Sequence, residues 1–323
     1  MLVNPYAMRF HAAPGRAGLR ATIPARRRAA GILFLYSRSK TMTTATPSAT
    51  ATALPALAFI GGGNMASAII GGLIRQGVPA ASFEVVEPFE PARDRLLQEF
   101  GIRANAAASE ALKRCAVVIW AVKPQTFADA ARSVAPFAGH ALHLSVAAGI
   151  PSGSIAQWVG TERVVRAMPN TPALVGQGMT GLFARDAASG ADRTLVAQLL
   201  APTGQLLWLN AEQDLDAVTA VSGSGPAYVF YFLEAMAEAG VEMGLAPEQA
   251  HRLAVGTFTG ATALAASASE SPAVLRERVT SKGGTTHAAI TTMDAAGVKA
   301  SFKAAIRAAQ KRAGELAEEF GRA

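Results

Sequence analysis

The stretch Phe59-Ile60-Gly61-Gly62-Gly63-Asn64-Met65-Ala66 places a glycine-rich turn between a short apolar run and a helix-like segment. Its spacing is G-x-G-x-x-A. The first glycine allows a tight turn, the second lets the backbone approach a pyrophosphate, and the small third residue lets the helix pack on the strand. Amide groups at the start of the helix then hold the anion. The stretch predicts a dinucleotide-binding turn with contacts from Ile60, Gly61, Gly62, Gly63, Asn64, Met65 and Ala66.

Outward from this turn, short branched apolar runs alternate with helix-like segments. This alternation is typical of a doubly wound, Rossmann-like parallel sheet covered on both faces. The predicted strands are Leu57–Ile60, Phe83–Glu87, Val117–Val122, Leu142–Val146, Arg163–Arg166, Met179–Ala184 and Leu206–Leu209. The helices predicted between the first four strands are Met65–Gln76, Pro91–Phe100 and Pro124–Val134.

From Ala211 onward the pattern is helical, with segments near Pro226–Glu242, Pro247–Ala268, Thr285–Ala296 and Ser301–Glu319. The sequence therefore predicts a dinucleotide-binding α/β domain at 57–210 and an all-helical domain at 211–323. The predicted helices are rich in Ala and Gly and have large apolar faces. Mutual burial of these faces would make the protein a homodimer, with higher homo-oligomers as a further alternative.

The positive charge of the chain lies in its N-terminal segment. Residues 1–41 contain eight of the 30 basic residues and no acid, which leaves 22 basic and 23 acidic residues and a net charge of −1. The remainder has no electrostatic footprint for nucleic acid. Its apolar runs are shorter than the ~18 residues of a membrane span, so no membrane partner is expected.

Residues 1–56 are expected to lie outside the fold. The favoured interpretation is a start codon assigned too early, with Met42 as the true first residue; an organelle transit peptide and a secretory signal are the alternatives. The single cysteine, Cys115, is expected to be a buried small side chain and fits a reducing compartment. We therefore expect a cytoplasmic protein, with organelle targeting through residues 1–41 as the minor alternative.

Three further features extend the predicted cofactor site. Glu87 follows Ala66 by 21 residues, where an acid accepts hydrogen bonds from the adenosine ribose and opposes a 2′-phosphate, although Arg93 argues the other way. Two loops also fall at the carboxyl ends of predicted strands, where open α/β sheets bind ligands. They are Ala121-Val122-Lys123-Pro124 and Ala147-Ala148-Gly149. For Lys123, a cofactor contact or a solvated position is favoured over a catalytic acid.

The helical domain offers two loops that precede helices, Ser222-Gly223-Ser224-Gly225-Pro226 and Ser281-Lys282-Gly283-Gly284-Thr285-Thr286. Helix capping alone could explain the first, while the hydroxyls and amides of the second suit a carboxylate. Neither loop contains His, Asp, Glu or Cys. Hydride transfer to a carbonyl usually needs an acid, whereas transfer to a protonated imine neutralises a cation. The site therefore suits C=N reduction better than C=O reduction.

The motifs FIGGGNMA, AVKP, SVAAG, RAMPNTPA, VSGSGPAYVF and SKGGTT occur in one order from about Leu57 to the C-terminus. In this the chain resembles the pyrroline-5-carboxylate reductase family. The resemblance implies reduction of 1-pyrroline-5-carboxylate to L-proline by NADPH or NADH, the last step of proline biosynthesis, at sites built from both subunits of a dimer.

The resemblance also implies roles for individual residues. The substrate carboxylate would be held by Ser281, Thr286 and the amides around Gly283, Gly284 and Thr285, with Ser222 and Ser224 also on the substrate side. Thr219 would lie near the ring nitrogen, where its hydroxyl could orient the imine or relay a proton. Pro169, Asn170 and Thr171 would line the nicotinamide side. Lys282 departs from the proline common in the family, and Glu87 replaces a small polar residue often found in NADPH-preferring members.

Two other functions and a metal site were weighed against this interpretation. A hydroxyacid dehydrogenase of similar plan would need a helical-domain lysine three or four residues from an asparagine, and 211–323 contains no such pair. A non-catalytic nicotinamide sensor would need an effector domain or a basic nucleic-acid face. No metal is expected, since His140 and His143, three apart on a strand, would point to opposite faces.

Overall fold

The computed structural model describes residues 54–321. The predictions made for residues 1–53, including those on targeting and on Met42, lie outside the described residues. Within residues 54–321, strands and helices alternate up to the seventh strand, and helices follow to the end. The strands are β1 Leu57–Ile60, β2 Phe83–Val86, β3 Val117–Trp120, β4 Leu142–Ser145, β5 Val164–Met168, β6 Gly178–Ala184 and β7 Gly204–Trp208.

One sheet contains all seven strands in the order β2-β1-β3-β4-β5-β6-β7. The pairs from β2 to β5 are parallel, β5 and β6 are antiparallel, and β6 and β7 are parallel to each other. A parallel crossover needs about a dozen or more residues. The connection 169–177 between β5 and β6 is too short for one, whereas the connection between β6 and β7 contains a helix. The predicted Rossmann-like parallel sheet is therefore present, with one antiparallel pair, β5 and β6.

Helices cover both faces of the sheet. They are α1 Asn64–Arg75, α2 Glu90–Phe100, α3 Pro124–Ala138, α4 Ser152–Val159 and α5 Gly190–Leu200. Alternate residues of β1 enter different layers: Phe59 packs with α1 and α5, while Ile60 packs with α3 and α4. Both are almost completely buried. Since side chains alternate along a strand, the unbroken apolar runs follow from burial on both faces.

The helical part consists of α6 Asp214–Val218, α7 Gly225–Glu242, α8 Pro247–Ser267, α9 Pro272–Arg278, α10 Thr285–Ala295 and α11 Val298–Gly321. A single turn of π-helix, Thr219–Gly223, joins α6 to α7. We call this segment the π turn. No helix within residues 54–321 is both long and apolar enough to cross a membrane.

The end of α11 returns to the sheet domain. Phe320 packs against the hydrophobic layer of α3 and α4, and the hydroxyl of Ser154 donates to the carbonyl of Gly321 at 2.7 Å. Leu316 lies against Gly149, where a β-carbon would be 3.3 Å from the Leu316 Cβ. The last helix therefore fixes the helical part to the loop that follows β4.

Candidate functional site

The glycine-rich turn lies at the carboxyl end of β1. The strand order reverses at β1, because β2 pairs with one side of this strand and β3 with the other. Gly61 has φ +96°, and a β-carbon there would lie 2.5 Å from the carbonyl oxygen of Ala121. Both facts require glycine. Gly63 caps α1, and the space where its β-carbon would stand is open. Ala66, in the first turn of α1, is fully buried, so each motif position has the surroundings that pyrophosphate binding requires.

The middle residue of the turn is constrained as well. A β-carbon on Gly62 would lie 2.7 Å from a methyl carbon of Leu96 in α2. The Gly62 amide donates to Oε2 of Glu87 at 2.7 Å, and the other oxygen, Oε1, accepts from the amide of Phe89 at 2.8 Å. Glu87 stands directly after β2. Its carboxylate therefore holds the glycine-rich turn, and Glu87 also lines the cleft beside it.

The two arginines of α2 differ in position. Arg93 donates from Nη1 to the carbonyl oxygens of Glu87 at 3.1 Å and Pro88 at 2.7 Å, which fixes it to the backbone. Arg95 donates from Nη2 to the carbonyl oxygen of Gly62 at 3.2 Å and lines the cleft beside the turn. In the sequence, Arg93 was the residue that argued for a 2′-phosphate, against Glu87. In the structure Arg95 lines the cleft, and Arg93 is not among its lining residues.

A cleft of about 860 Å³ opens beside the glycine-rich turn, large enough for a cofactor-sized ligand. The residues that line this cleft include seven of the predicted cofactor contacts: Ile60, Gly61, Gly63, Glu87, Ala121, Val122 and Lys123. Lining residues that sequence reasoning missed include Phe89, Pro91, Arg95, Ala107, Thr126 and Asp129. Pro91 and Arg95 are four apart, so they share one face of α2. That helical spacing is the signal that could have identified Arg95.

The other predicted loops lie at the same edge of the sheet. Pro124 begins α3 directly after Lys123, whose side chain is exposed. Ala147, Ala148 and Gly149 follow β4, and the Ala147 amide donates to the Ser145 hydroxyl at 3.3 Å. Pro169, Asn170 and Thr171 follow β5. The cleft lining among the described residues does not include 147–149 or 169–171.

Thr219 begins the π turn, and its hydroxyl lies 2.7 Å from the carbonyl oxygen of Leu215, to which it donates. Since that bond uses the hydroxyl proton, the remaining capacity of the oxygen is as an acceptor. Ser224 caps α7 without a side-chain capping bond, so capping alone does not explain its loop. The hydroxyl oxygen of Ser222 is buried and has no hydrogen-bond partner among the described residues.

The predicted carboxylate loop joins α9 to α10. Gly283 has φ +77°, the Gly284 amide donates to the Ser281 carbonyl at 3.0 Å, and α10 begins at Thr285. Ser281, Lys282 and Thr285 are exposed and Thr286 is half-buried. The described residues that line the cofactor cleft include none of 281–286. Within one chain, the structure does not bring this loop into that cleft.

A buried ion pair connects the elements that carry these loops. Arg166 of β5 donates from Nη1 to Oε1 of Glu212 at 2.8 Å, and Ser152 at the start of α4 donates to the same carboxylate through its amide at 2.6 Å and its hydroxyl at 2.5 Å. Burial acts to raise the pKa of Glu212, but the bonds from Ser152 and Arg166 outweigh it and the pKa is lowered. Burial raises the pKa of nearby Asp216. Glu212 is thus held ionised between β5, α4 and α6.

The histidines considered as metal ligands have other surroundings. His143 in β4 accepts from the Trp120 indole nitrogen at 3.0 Å, and its Nε2 lies 3.1 Å from the Ala138 carbonyl. His140 lies in the turn before β4, so the argument from opposite faces of a strand was wrong in its premise. Residues 54–321 contain no group of three or more His, Cys, Asp or Glu side chains placed to hold a metal ion.

Two family models match the chain. One, described as pyrroline-5-carboxylate reductase dimerisation, matches residues 212–316; the other, described as NADP oxidoreductase coenzyme F420-dependent, matches residues 56–149. The pyrroline-5-carboxylate reductase of Pseudomonas aeruginosa is 46% identical over 269 residues, which cover 83% of this chain and 98% of that protein. The reductase of Pisum sativum is 37% identical, over 80% of this chain and 95% of that protein. The chain belongs to the pyrroline-5-carboxylate reductase family.

Solved structures of pyrroline-5-carboxylate reductases agree with this membership. The enzyme of Coxiella burnetii matches with a TM-score of 0.75 at 34% identity, covering 81% of this chain and 98% of that one. The enzyme of Plasmodium falciparum, solved with NADP bound, matches with a TM-score of 0.74 at 26% identity and the same coverage. Membership confirms the predicted family, fold class and enzyme class, a nicotinamide-dependent oxidoreductase acting on a C=N bond. The hydroxyacid dehydrogenase and sensor alternatives are not favoured.

Proposed function

We propose that this protein reduces 1-pyrroline-5-carboxylate to L-proline with NADPH or NADH, in the cytoplasm, as the last step of proline biosynthesis. The observation that carries the proposal is the dinucleotide cleft at the glycine-rich turn in a chain whose helical part belongs to this reductase family. When bound, the nicotinamide cofactor supplies a hydride to the imine carbon.

We propose that the cleft holds the cofactor through several parts of the sheet edge. Open space at Gly63 and the amides that begin α1 favour the pyrophosphate there. Glu87 faces the ribose hydroxyls, and Arg95 supplies a cation for a 2′-phosphate. A carboxylate bonded to the Gly62 amide and a guanidinium bonded to the Gly62 carbonyl support use of both cofactors. Lys123 lies at the exposed mouth of the cleft as a contact.

We propose that the substrate carboxylate binds at the start of α10. Gly284 caps that helix, so the first amides of α10 are free of helical partners. The hydroxyls of Ser281 and Thr286 and the amides of residues 283–285 are suited to a carboxylate. Lys282, exposed beside them, adds a cation where relatives commonly have proline.

We propose that Thr219 orients the substrate ring rather than supplying a proton. Its hydroxyl already donates to Leu215, so it accepts from the N–H of a protonated imine. Hydride addition to that cation gives a neutral amine, and no strong acid is needed at the reacting carbon. Ser222 lies on the π turn and Ser224 directly follows it, and these are the further substrate-side residues.

We propose a homodimer with each active site shared between subunits, consistent with the domain division at 57–210 and 211–323. Of the described residues of α7, Gly240 alone is fully buried. Tyr231 is 69% exposed, Met243 78% and Leu253 of α8 58%. Apolar surface of this extent calls for a partner. A second copy would cover α7 and α8, and its 281–286 loop would reach the cleft that this chain's own loop does not line.

The test is cofactor oxidation by the purified protein, followed by the absorbance of the reduced nicotinamide with NADH and NADPH in parallel, with and without pyrroline-5-carboxylate. We expect oxidation that depends on the substrate with at least one cofactor. Folded protein that is inert with both cofactors would refute the proposed function.

A further inference from the structure

The π turn leaves backbone carbonyls that an ordinary α-helix would use. Its own bond runs from the Ser224 amide to the Thr219 carbonyl at 2.8 Å, five residues back. Such turns are rare, and they persist where surrounding groups satisfy the displaced backbone. Thr219, the residue proposed to orient the substrate, begins this turn.

Side chains from elsewhere donate to two carbonyls of this turn. The Ser224 amide, four residues after Ala220, is used by Thr219, and Pro226, four residues after Ser222, has no N–H to donate. The hydroxyl of Tyr228, from α7, donates to the Ala220 carbonyl at 3.1 Å. The side-chain amide of Asn170, from the loop after β5, donates through Nδ2 to the Ser222 carbonyl at 3.0 Å. Each donor is therefore matched to one backbone acceptor of the widened turn.

Both donors are themselves fixed. Asn170 accepts through Oδ1 from the Met179 amide at the start of β6, at 2.9 Å. Its side chain thus ties the end of β5, the start of β6 and the π turn together. The ring of Tyr228 packs edge-on against Phe302 of α11, with centroids 5.6 Å apart.

A third contact comes from β5. A β-carbon on Gly223 would lie 2.6 Å from the Cε of Met168, the last residue of β5. The tip of the Met168 side chain therefore packs against the π turn at Gly223. A rigid framework of this kind holds a reacting group in place far better than a mobile loop does.

We propose that Asn170 and Tyr228 are positioning residues that hold the π turn in its widened form and thereby fix the Thr219 hydroxyl beside the substrate. The inference rests on the proposed function and assigns Asn170 a different part from lining the nicotinamide. Misplacement of a positioned group by a fraction of an ångström weakens hydride transfer more than it weakens cofactor binding. The turnover number should therefore respond, and the cofactor KM should not.

The test uses Asn170→Asp and Tyr228→Phe in the full-length protein. The first removes the amide donor at constant size and places a carboxylate oxygen against the Ser222 carbonyl; the second removes only the hydroxyl and keeps the ring on Phe302. Asn210→Asp, at an exposed position after β7, is the control for the added charge. Kinetics with pyrroline-5-carboxylate and hydrogen–deuterium exchange of residues 215–225 without ligand are measured on each.

We expect kcat to fall about tenfold or more in Asn170→Asp and several-fold in Tyr228→Phe. The cofactor KM should stay near the wild-type value, and the π-turn amides should exchange faster. Asn210→Asp should match wild type in both measurements.

A lower kcat together with faster exchange of the π-turn amides in Tyr228→Phe supports the proposal. If kcat or the exchange rate is unchanged in Tyr228→Phe, the proposal is overturned, and this includes a variant that has only lost thermal stability. If Asn170→Asp does not fold, Tyr228→Phe decides. An inert wild type would refute the proposed function, while exchange would still report whether the two side chains hold the turn.

Discussion

Glu87 joins cofactor selection to the structure of the glycine-rich turn, because its carboxylate accepts from the Gly62 and Phe89 amides. Glu87→Ser removes a negative charge that opposes a 2′-phosphate. We expect the ratio of kcat/KM for NADPH to that for NADH to rise, by about tenfold if the lost repulsion is about 1.4 kcal/mol. Steady-state kinetics with both cofactors measure the ratio. An unchanged ratio would leave Glu87 as a support for the turn only.

Arg95 gives the opposite prediction. Arg95→Gln removes the cation that lines the cleft, so kcat/KM for NADPH should fall by about tenfold, the usual effect of losing one charge-assisted bond. The value for NADH should change much less. Arg93→Gln is the matched control, since Arg93 is held by backbone carbonyls. Equal losses with both cofactors in Arg95→Gln would contradict a selective role.

At the level of residues, the sequence predicted the turn because the glycine spacing is itself the binding geometry. It missed Arg95 because helical spacing shows which residues of α2 share a face but not which face borders the glycine-rich turn. Nor did the sequence indicate the bond from Asn170 to Ser222, which spans 52 positions. Contacts of this kind follow from tertiary packing and have no local pattern.

At the level of elements, the starts of strands were predicted better than their ends. The predicted strand Val117–Val122 was too long. Strand β3 ends at Trp120, and the next two residues, Ala121 and Val122, line the cleft. Both residues are apolar, so composition could not separate strand from binding loop. Helices α4, α5, α6 and α9 were not identified because their apolar faces are short.

His143 of β4, which accepts a hydrogen bond from Trp120 of β3, predicts how the free energy of unfolding depends on pH. Burial lowers the pKa of His143 to about 4 from an ordinary 6.5. A histidine with a depressed pKa stabilises the fold above its unfolded pKa, and this stabilisation is lost as the pH falls towards the folded value. Between pH 7 and pH 5 the free energy of unfolding should drop by about 2 kcal/mol from this residue.

Urea unfolding at the two pH values checks this drop. His143→Asn cannot be charged, so the difference between pH 7 and pH 5 should shrink by about that amount, although the variant is less stable at pH 7 through altered packing beside Trp120. His140→Asn, an exposed histidine nearby, should keep most of the wild-type difference. An equal pH dependence in wild type and His143→Asn would show that His143 does not carry the effect.

At the level of the whole molecule, the sequence predicted the order of a sheet domain and a helical domain, but not how they are connected. Phe320 and Gly321, at the end of the last helix, contact the sheet domain. The helical part therefore reaches back across the chain to α3 and α4. An amphipathic pattern predicts that a helix has an apolar face without indicating which surface covers it.

The proposed function requires a nicotinamide cofactor, bound in the cleft, to deliver a hydride to the C=N carbon. Its most direct test is label transfer from NADPH or NADH deuterated at either face of nicotinamide C4 to pyrroline-5-carboxylate, with the proline analysed by mass spectrometry and NMR. We predict proline with one deuterium, at C5, from one of the two labelled faces. Folded protein that forms no proline, or proline without deuterium from either labelled face, would contradict the claim.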